Sequence, residues 1–245
     1  MMKGRSCPTG WPSTTDEAAR RDHPRYHGPK SVASLRPLDD ALPRGPRRPA
    51  LGSRPEIGFL VAAATLHAGD LDRARTLSRQ GGLLEPAPRW WNWEALTCFQ
   101  AELAAELGDL DAAARLVDDL TPVAHHLAVY GSIAALGPVT RYLGRLEAAL
   151  GRWADAEAHL KDCLDVSAAQ GLHPSWAAAA VSLAEVLVDT GRAAAAVDLL
   201  TEALRVADEL GLSRTRARVL ALDSRTPGRL TDRLAHQGLH PPTST

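Results

Sequence analysis

The sequence predicts an all-α solenoid of about four helix pairs followed by a capping helix, and three observations support this fold class. Apolar residues recur at helical spacing between residues 57 and 222, and most of these stripes end at a glycine. Small residues flank four of these glycines at constant offsets. The chain is also rich in alanine, which loses no side-chain entropy in a helix and lets neighbouring helices approach closely.

The repeat is defined by glycines that end the first helix of each pair. The spacings between them are 39, 43 and 40 residues, and they are Gly69, Gly108, Gly151 and Gly191. Alanine stands five residues after each glycine, at Ala74, Ala113, Ala156 and Ala196. A small residue stands seven before each, at Ala62, Ala101, Gly144 and Ala184. Antiparallel helices need small residues where their backbones approach and glycine where the chain reverses, so both offsets indicate helical hairpins.

The first two pairs are predicted in residues 56–120. The first ends at Gly81-Gly82, because glycine tends to follow a helix. The loop EPAPRWWNWEA separates it from the second pair, which is interrupted at Thr121-Pro122. Residues 123–137 contain two glycines and precede Pro138, so we expect an irregular connection there.

The third and fourth pairs follow in residues 139–210. Apolar residues from Val139 to Leu150 predict one helix, and its partner runs from about Trp153 to Gln170. The fourth pair spans 176–190 and 193–210. A last short helix, from about Ser213 to Leu222, is expected to cap the array, as terminal repeats do.

The two ends differ in composition from residues 55–222, the predicted repeat domain. Residues 1–54 are rich in Pro, Arg, Gly and Ser and have few large apolar side chains, so we expect a disordered arm. Residues 223–245 contain Pro227-Gly228 and end in PPTST, which predicts a tail with at most one short helix.

Charge is unevenly distributed along the chain. Residues 1–55 carry eleven basic and five acidic residues, residues 56–211 eleven and twenty-two, and residues 212–245 six and two. Phosphate binding requires clustered Lys or Arg, so we expect no direct nucleic-acid binding by the acidic repeat body. The basic N-terminal arm is open to three interpretations: a solvated tail, a nucleic-acid contact, or a segment lying against the acidic body.

No residue pattern indicates catalysis or a bound cofactor. Cys7, Cys98 and Cys163 form no CxxC pair, which fits a reducing cytoplasm and predicts neither a disulfide framework nor a zinc site. No phosphate loop, HExxH or GxSxG motif is present. The start has no secretory signal and no window is apolar enough to span a membrane. We therefore expect no cofactor and no enzymatic activity.

The turn pattern G-[DR]-x-x-x-A, with Leu143-Gly144 seven residues upstream, resembles the tetratricopeptide repeat. The match is best in residues 142–210 and weaker in 56–120. The spacing of about 40 departs from the 34 residues of that repeat, and the proline late in its second helix is missing. The length alone also suits armadillo-like arrays.

A longer segment resembles the C-terminal helical region of large actinobacterial transcriptional regulators. It reads RWWNWEALTCFQAELAAELGDLDAAARLVDDLTPVAHHLAVY and continues with LGPVTRYLGRLEAALGRWADAEAHL. In those proteins an ATPase of the AAA or signal-transduction type precedes the repeats, and a LuxR-type or cyclase domain supplies the output. The resemblance covers about 56–222 and extends to no ATPase or DNA-binding segment here.

The tetratricopeptide resemblance implies which residues face a concave groove. They stand ten, six and two positions before each turn glycine: Cys98, Glu102 and Glu106; Arg141, Arg145 and Ala149; Val181, Glu185 and Asp189. Arg141 and Arg145 are then expected one turn apart between two acidic strips. They could grip a carboxylate of a partner peptide, or they could bridge to Glu102 and Glu185 within the groove.

Trp90, Trp91 and Trp93 form the densest aromatic cluster. They could wedge the first pair against the second, or they could anchor a partner, because tryptophan is enriched among interface hot spots.

Two functional hypotheses are favoured by the sequence, beside a third, an enzyme with an unrecognised site, which predicts a deep pocket with convergent polar groups and a perturbed titratable residue. The first is a non-catalytic protein–protein interaction module in bacterial regulation, binding a partner segment in its groove. The alternative is an orphaned C-terminal sensor fragment of an ATP-binding LuxR-family or cyclase-type regulator. Both predict a protein or peptide partner in the cytoplasm, and the partner and the oligomeric state stay open.

Overall fold

The computed structural model describes residues 55–86, 89, 91–131 and 134–225, and it confirms the predicted all-α solenoid. The helices are α1 (Pro55–His67), α2 (Leu71–Gly81), α3 (Trp93–Leu107), α4 (Leu110–Leu120), α5 (Val139–Ala149), α6 (Trp153–Ala169), α7 (His173–Asp189), α8 (Ala193–Leu210) and α9 (Ser213–Asp223). They form four consecutive pairs and a capping helix. The predicted arm (1–54), most of the predicted tail (226–245) and Trp90 lie outside the described residues.

The four turn glycines have the backbone conformation that the repeat requires. Their φ angles are +86° at Gly69, +71° at Gly108, +72° at Gly151 and +75° at Gly191. A Cβ at any of these positions would meet nothing within 4 Å. Left-handed backbone, and not lack of space, therefore explains the glycines.

Small residues lie where the two helices of each pair approach. The four alanines that follow the turn glycines are fully buried, and so are Ala62, Ala101 and Ala184. At Gly144 the space between the helices is too small even for a methyl group. A Cβ there would lie 2.6 Å from Leu160 Cγ and 3.1 Å from the carbonyl oxygen of Ala156. The predicted offsets are thus positions of helix contact.

The expectation of an irregular connection at 123–137 is wrong, because the chain forms a β-hairpin there. After a 3₁₀ turn (Thr121–Val123), strand β1 (Leu127–Tyr130) pairs antiparallel with β2 (Ala134–Pro138). Gly137, at φ +92°, pairs with Ala128 at a bulge in the ladder. The glycines that suggested a broken chain instead serve the turn and the bulge. Pro138 ends β2, and the following helix begins at Val139.

The repeat spacing exceeds 34 residues for a different reason in each gap. The loop 82–92 lengthens the first and the hairpin lengthens the second. In the third, α6 and α7 each have 17 residues and are joined by three-residue connections. The array therefore accommodates its extra residues without interrupting the stacking of pairs.

Three hydrophobic clusters run through the solenoid. One joins α1 and α2 to α3, the second joins α3 and α4 to α5, and the third joins α6, α7, α8 and α9. Since α3 contributes to two clusters, the first and second pairs are continuous with the third. No helix in the described part of the chain is long and apolar enough to cross a membrane.

Candidate functional site

The predicted groove residues lie on the first helices of successive pairs, and their exposure increases towards the turns. Cys98 and Val181, ten residues before their turn glycines, are fully buried, and Arg141 between them is 8 % exposed. The layer six residues before the turns is mostly buried. The side chain of Asp189, in the layer nearest the turns, is 38 % exposed. The rows of predicted groove residues are thus buried at one end and more exposed beside the turns.

Arg145 joins the second and third pairs through ion pairs. Its Nη2 donates to Glu106 Oε1 at 2.6 Å, and its Nη1 lies 3.6 Å from Glu102 Oε1. This Nη1 is buried and has no hydrogen-bond partner. Of the two interpretations of Arg145, the geometry shows bridging to Glu102 and Glu106. The expected bridge to Glu185 is wrong, because Glu185 pairs with Arg218. The Nη1 donor of the guanidinium is therefore not used in a hydrogen bond.

Arg141 pairs with no carboxylate in the described part of the chain, although it is more than nine-tenths buried. Its Cζ lies 4.1 Å from the centroid of the Tyr142 ring, a cation–π distance. The Tyr142 hydroxyl donates to the carbonyl oxygen of Leu136 at 3.0 Å. Burial raises the pKa of Tyr142 and that of Cys98, so both neighbours of Arg141 stay neutral. The guanidinium lies against an aromatic face, and Glu102 attracts it without forming an ion pair with it.

Arginines that follow the predicted repeats complete the site, and sequence reasoning missed them. Arg214 donates to Glu102 Oε1 at 3.0 Å and to Glu106 Oε1 at 2.9 Å. Arg218 donates to both carboxylate oxygens of Glu185, at 3.1 and 2.5 Å. Arg225 donates to Asp189 Oδ1 at 2.6 Å. The excess of basic residues after position 211, beside an acidic body, is the signal that could have predicted these pairs.

The cations around Glu102 and Glu106 keep both carboxylates ionised. Burial alone would raise the pKa of Glu102, but His67, Arg141 and Arg145 outweigh it, and the pKa lies well below its ordinary value. Burial opposes the shift at Glu106 too, where Arg145 is the main group that lowers the pKa. The carboxylates of the groove are therefore fixed charges at neutral pH.

A cavity of about 240 Å³ opens between α5 and α7. Its charged lining comes from Arg145, Glu185, Asp189 and Arg225. Apolar side chains complete its wall, among them Trp153, Leu160 and Val186. The cavity can therefore accommodate a side chain with an apolar stem and a polar end.

A larger cavity, about 730 Å³, lies beside the turns of the first two pairs. Arg75, Arg79, Glu85, Asp109 and Asp111 contribute its charged groups. None of the predicted groove or tryptophan residues lines it. Its charged groups are of both signs and come from α2, the segment after it and the start of α4, and they include none of the predicted site residues.

The described tryptophans of the cluster have different environments. Trp91 is 80 % exposed, and its ring centroid lies 6.4 Å from that of Tyr130 on β1. Trp93 begins α3 and lies under Arg89, whose Cζ is 4.2 Å from the ring centroid. Trp91 thus has the exposure expected of a partner anchor, whereas Trp93 is packed into the fold.

Comparison with known families identifies one part of the chain. Residues 136–209 match the family model described as "Tetratricopeptide repeat". This segment spans the end of β2 and helices α5 to α8, the half in which the sequence pattern is strongest. No curated protein and no solved structure matches the chain. Residues 136–209 are therefore similar to tetratricopeptide repeats, and this tetratricopeptide-like region is the most regular part of the all-α solenoid.

Proposed function

We propose that this chain is a non-catalytic protein-interaction module of bacterial regulation, and that its groove binds an acidic segment of a partner. Tetratricopeptide repeats typically act in protein–protein interaction and not in catalysis, and this supports the general assignment. The regulatory role rests on the resemblance to actinobacterial regulators. The groove and the charge of the partner are argued from the contacts of the groove residues.

The single observation that carries the proposal is the unused donor of Arg145. A buried N–H without an acceptor costs about 1–3 kcal/mol, so buried donors are nearly always paired. Arg145 Nη1 has no hydrogen-bonded acceptor, its nearest carboxylate being Glu102 at the longer ion-pair distance of 3.6 Å, and the residue lines the cavity between α5 and α7. A carboxylate entering that cavity would accept this hydrogen bond.

The charge balance of the groove favours the same ligand. Its described carboxylates are Glu102, Glu106, Glu185 and Asp189, and its described guanidiniums are Arg141, Arg145, Arg214, Arg218 and Arg225. Each carboxylate is already paired, and the positive charge in excess is that of Arg141, which is not among the residues lining the cavity. An anionic side chain in the groove would be attracted by it, whereas a cationic one would be repelled.

The walls of the cavity indicate the neighbours of that carboxylate. Trp153, Leu160 and Val186 offer apolar contacts beside the charged groups. A partner segment that alternates acidic and apolar side chains therefore fits better than a polyacidic stretch. Apolar contacts would supply affinity, and the ion pair would supply orientation.

Selection from a phage-displayed random peptide library tests the proposal. Wild-type protein is expected to enrich peptides containing Asp or Glu beside apolar residues. Binding of the selected peptides to an Arg145→Gln variant should weaken at least about thirtyfold, because loss of a desolvated ion pair costs about 2 kcal/mol or more. Fluorescence polarisation with the labelled peptides measures the change in Kd.

The matched control is Arg205→Gln on α8. Arg205 also pairs with two carboxylates, Glu202 and Glu209, but it lies on an exposed surface outside the groove. This variant should bind the peptides as wild type does. If Arg145→Gln fails to fold by circular dichroism, Arg145→Lys keeps the charge and should still weaken binding. Enrichment of basic peptides, or equal binding by folded Arg145 variants, would contradict the proposal.

Trp91 defines a second candidate contact surface. Its exposed ring lies beside Tyr130, and Val129 on β1 is also exposed. We expect Trp91→Ala to weaken a partner that binds at the hairpin while leaving selected groove peptides unaffected. Trp93→Ala is not a suitable control for Trp91→Ala. Trp93 lies under Arg89 at the start of α3, so its loss would also disturb that helix.

A further inference from the structure

Arg214 connects two parts of the solenoid that are far apart in sequence. It lies in the first turn of α9, and it donates to two carboxylates of α3 that are 112 and 108 positions earlier. Glu102 and Glu106 are one helical turn apart, so a single guanidinium bridges both. The capping helix is thereby tied to the second pair across the groove.

The other end of α9 lies against the same groove. Arg218 holds both oxygens of Glu185 on α7, and Arg225, just after the helix, holds Asp189. Arg225 also lines the cavity that contains Arg145. The arginines of α9 and its end thus follow the groove from α3 to the rim of the cavity.

Apolar contacts hold α9 less extensively than they hold the preceding helices. Val219 and Leu222 are its buried apolar side chains, and Leu220 is 37 % exposed. By contrast, α8 buries Ala196, Val197, Leu200, Ala203, Leu204, Val206 and Ala207. A helix that has few apolar contacts and many partly exposed ion pairs is the part of the array expected to detach first.

We propose that α9 is an electrostatic latch that closes the groove and regulates access to the cavity lined by Arg145. In the closed state Arg214 occupies the carboxylates of α3, and Arg225 forms part of the cavity wall. Local detachment of α9 removes both groups and widens the groove without unfolding α5–α8. The side chains of Arg214 and Arg218 are about one-fifth exposed, so salt screens their ion pairs in part and to that extent favours the open state.

Hydrogen exchange measured by mass spectrometry on the full chain tests the latch. In Arg214→Gln, exchange of α9 amides at low salt should be about tenfold faster than in wild type, and exchange in α5–α8 should be unchanged. Raising the salt concentration should accelerate α9 exchange in wild type. The variant should have lost most of this dependence, since its bridge to α3 is already absent.

Arg216→Gln is the matched control within the same helix. Arg216 pairs with Asp208 on α8, at 3.0 Å, and reaches neither Glu102 nor Glu106. Its loss should leave α9 exchange near the wild-type rate. The latch is refuted if α9 exchange is the same in Arg214→Gln and wild type, if Arg216→Gln accelerates it equally, or if the acceleration extends uniformly to α5–α8.

The latch concerns access to the groove of the proposed function, but its test involves no partner. If peptide selection yields no acidic ligand while α9 exchange responds to Arg214→Gln, the latch stands and the proposed partner is wrong. If acidic peptides bind through Arg145 while α9 exchange is unaffected, the partner stands and the latch is wrong.

Discussion

The third and fourth pairs, α5–α8, are built more regularly than the first and second pairs, α1–α4. In the later pairs three of the four helices have 17 or 18 residues, and three-residue connections join them. In the earlier pairs helices of 11 to 15 residues are separated by the loop 82–92. The tetratricopeptide family model matches the later half only.

The two halves also differ in the hydrogen bonds that hold the segments between their helices. The loop after α2 is held by polar side chains: Gln100 Nε2 donates to the carbonyl oxygens of Leu83 and Glu85 at 2.7 and 2.8 Å. Arg115 donates to the carbonyl oxygen of Leu84 at 2.6 Å. An inserted loop leaves backbone groups without helical partners, and these side chains satisfy them. In the regular half, backbone N–H groups of the short connections donate to carbonyl oxygens at the end of the preceding helix, so no such side-chain hydrogen bonds are needed.

Truncation of one leucine in each half should have the largest effect and should separate the two halves. Leu160 is fully buried in the cluster of α6–α9, and Leu66 is buried in the cluster of the first pair. Leu160→Ala should lower the free energy of unfolding by about 3–5 kcal/mol, within the usual range for buried leucine. Leu66→Ala should cost about 2–3 kcal/mol, since an end pair has one neighbouring pair and can open locally.

Urea unfolding followed by circular dichroism measures both losses, and hydrogen exchange locates them. Exchange should accelerate in α1 and α2 for Leu66→Ala, and across α5–α9 for Leu160→Ala. If both variants lose the same free energy and exchange uniformly, the solenoid unfolds as one unit and the contrast between the halves has no energetic counterpart.

A substitution at Gly144 tests whether helix contact limits the regular half. Alanine is the better helix former by about 1 kcal/mol, but its Cβ would lie 2.6 Å from Leu160 Cγ. Overpacking typically costs about 1–3 kcal/mol, so we expect Gly144→Ala to destabilise the protein by about 1–2 kcal/mol net. In a Leu160→Ala background the clash with the Leu160 side chain is gone and the 3.1 Å approach to the Ala156 carbonyl oxygen remains, so the same substitution should range from nearly neutral to stabilising by up to about 1 kcal/mol.

This difference between the two backgrounds is measured with a double-mutant cycle in urea. Ala184 stands at the corresponding position of the fourth pair, where alanine is accommodated and fully buried. Ala184→Gly therefore serves as the control and should destabilise by about 1 kcal/mol. A neutral or stabilising Gly144→Ala in the wild-type background would show that the pair can widen without cost.

The features that recur in every pair could be predicted from the sequence, whereas the features that occur once in the chain could not. The glycines and small residues recur at fixed offsets, so four weak signals reinforced one another and the turns were located correctly. The hairpin is a single insertion of short strands, and its Gly131 and Gly137 look the same in sequence as those of a loop. The Arg214 bridge joins residues more than a hundred positions apart, and only the packing of helices that are distant in sequence brings them together.

The groove itself was predicted in part, for the same physical reason. Helical periodicity and the family resemblance placed Glu102, Arg145 and Glu185 on successive first helices, where the structure also has them. Neither the periodicity nor the resemblance could predict that α9 contributes the arginines that pair with these carboxylates. Exposure was also not predictable, because the depth of Arg141 depends on how closely Cys98, Tyr142 and Val181 surround it.

The smallest expected effect is a pH response of opposite sign in the two halves. On α3, the pKa values of Glu102 and Glu106 lie below their ordinary value of 4.5. Their contribution to stability is therefore present above about pH 4.5 and is lost as pH falls through the folded-state values. On α6, a hydrogen bond with Glu147 raises the pKa of His159 above its ordinary 6.5. Its contribution is present below about pH 6.5 and is lost as pH rises through the folded-state value.

Two substitutions separate these responses when the free energy of unfolding is measured by urea titration across the pH range. Glu106→Gln should flatten the acid limb and leave the alkaline limb unchanged, because it removes a carboxylate bound by Arg145 and Arg214. His159→Gln should flatten the limb above about pH 6.5 and leave the acid limb unchanged, because the Nδ1 contact to Glu147 at 2.7 Å joins only α5 and α6. If either variant alters both limbs equally, the ion pairs of the two halves are coupled through the shared helix α5, and the halves do not respond to pH independently.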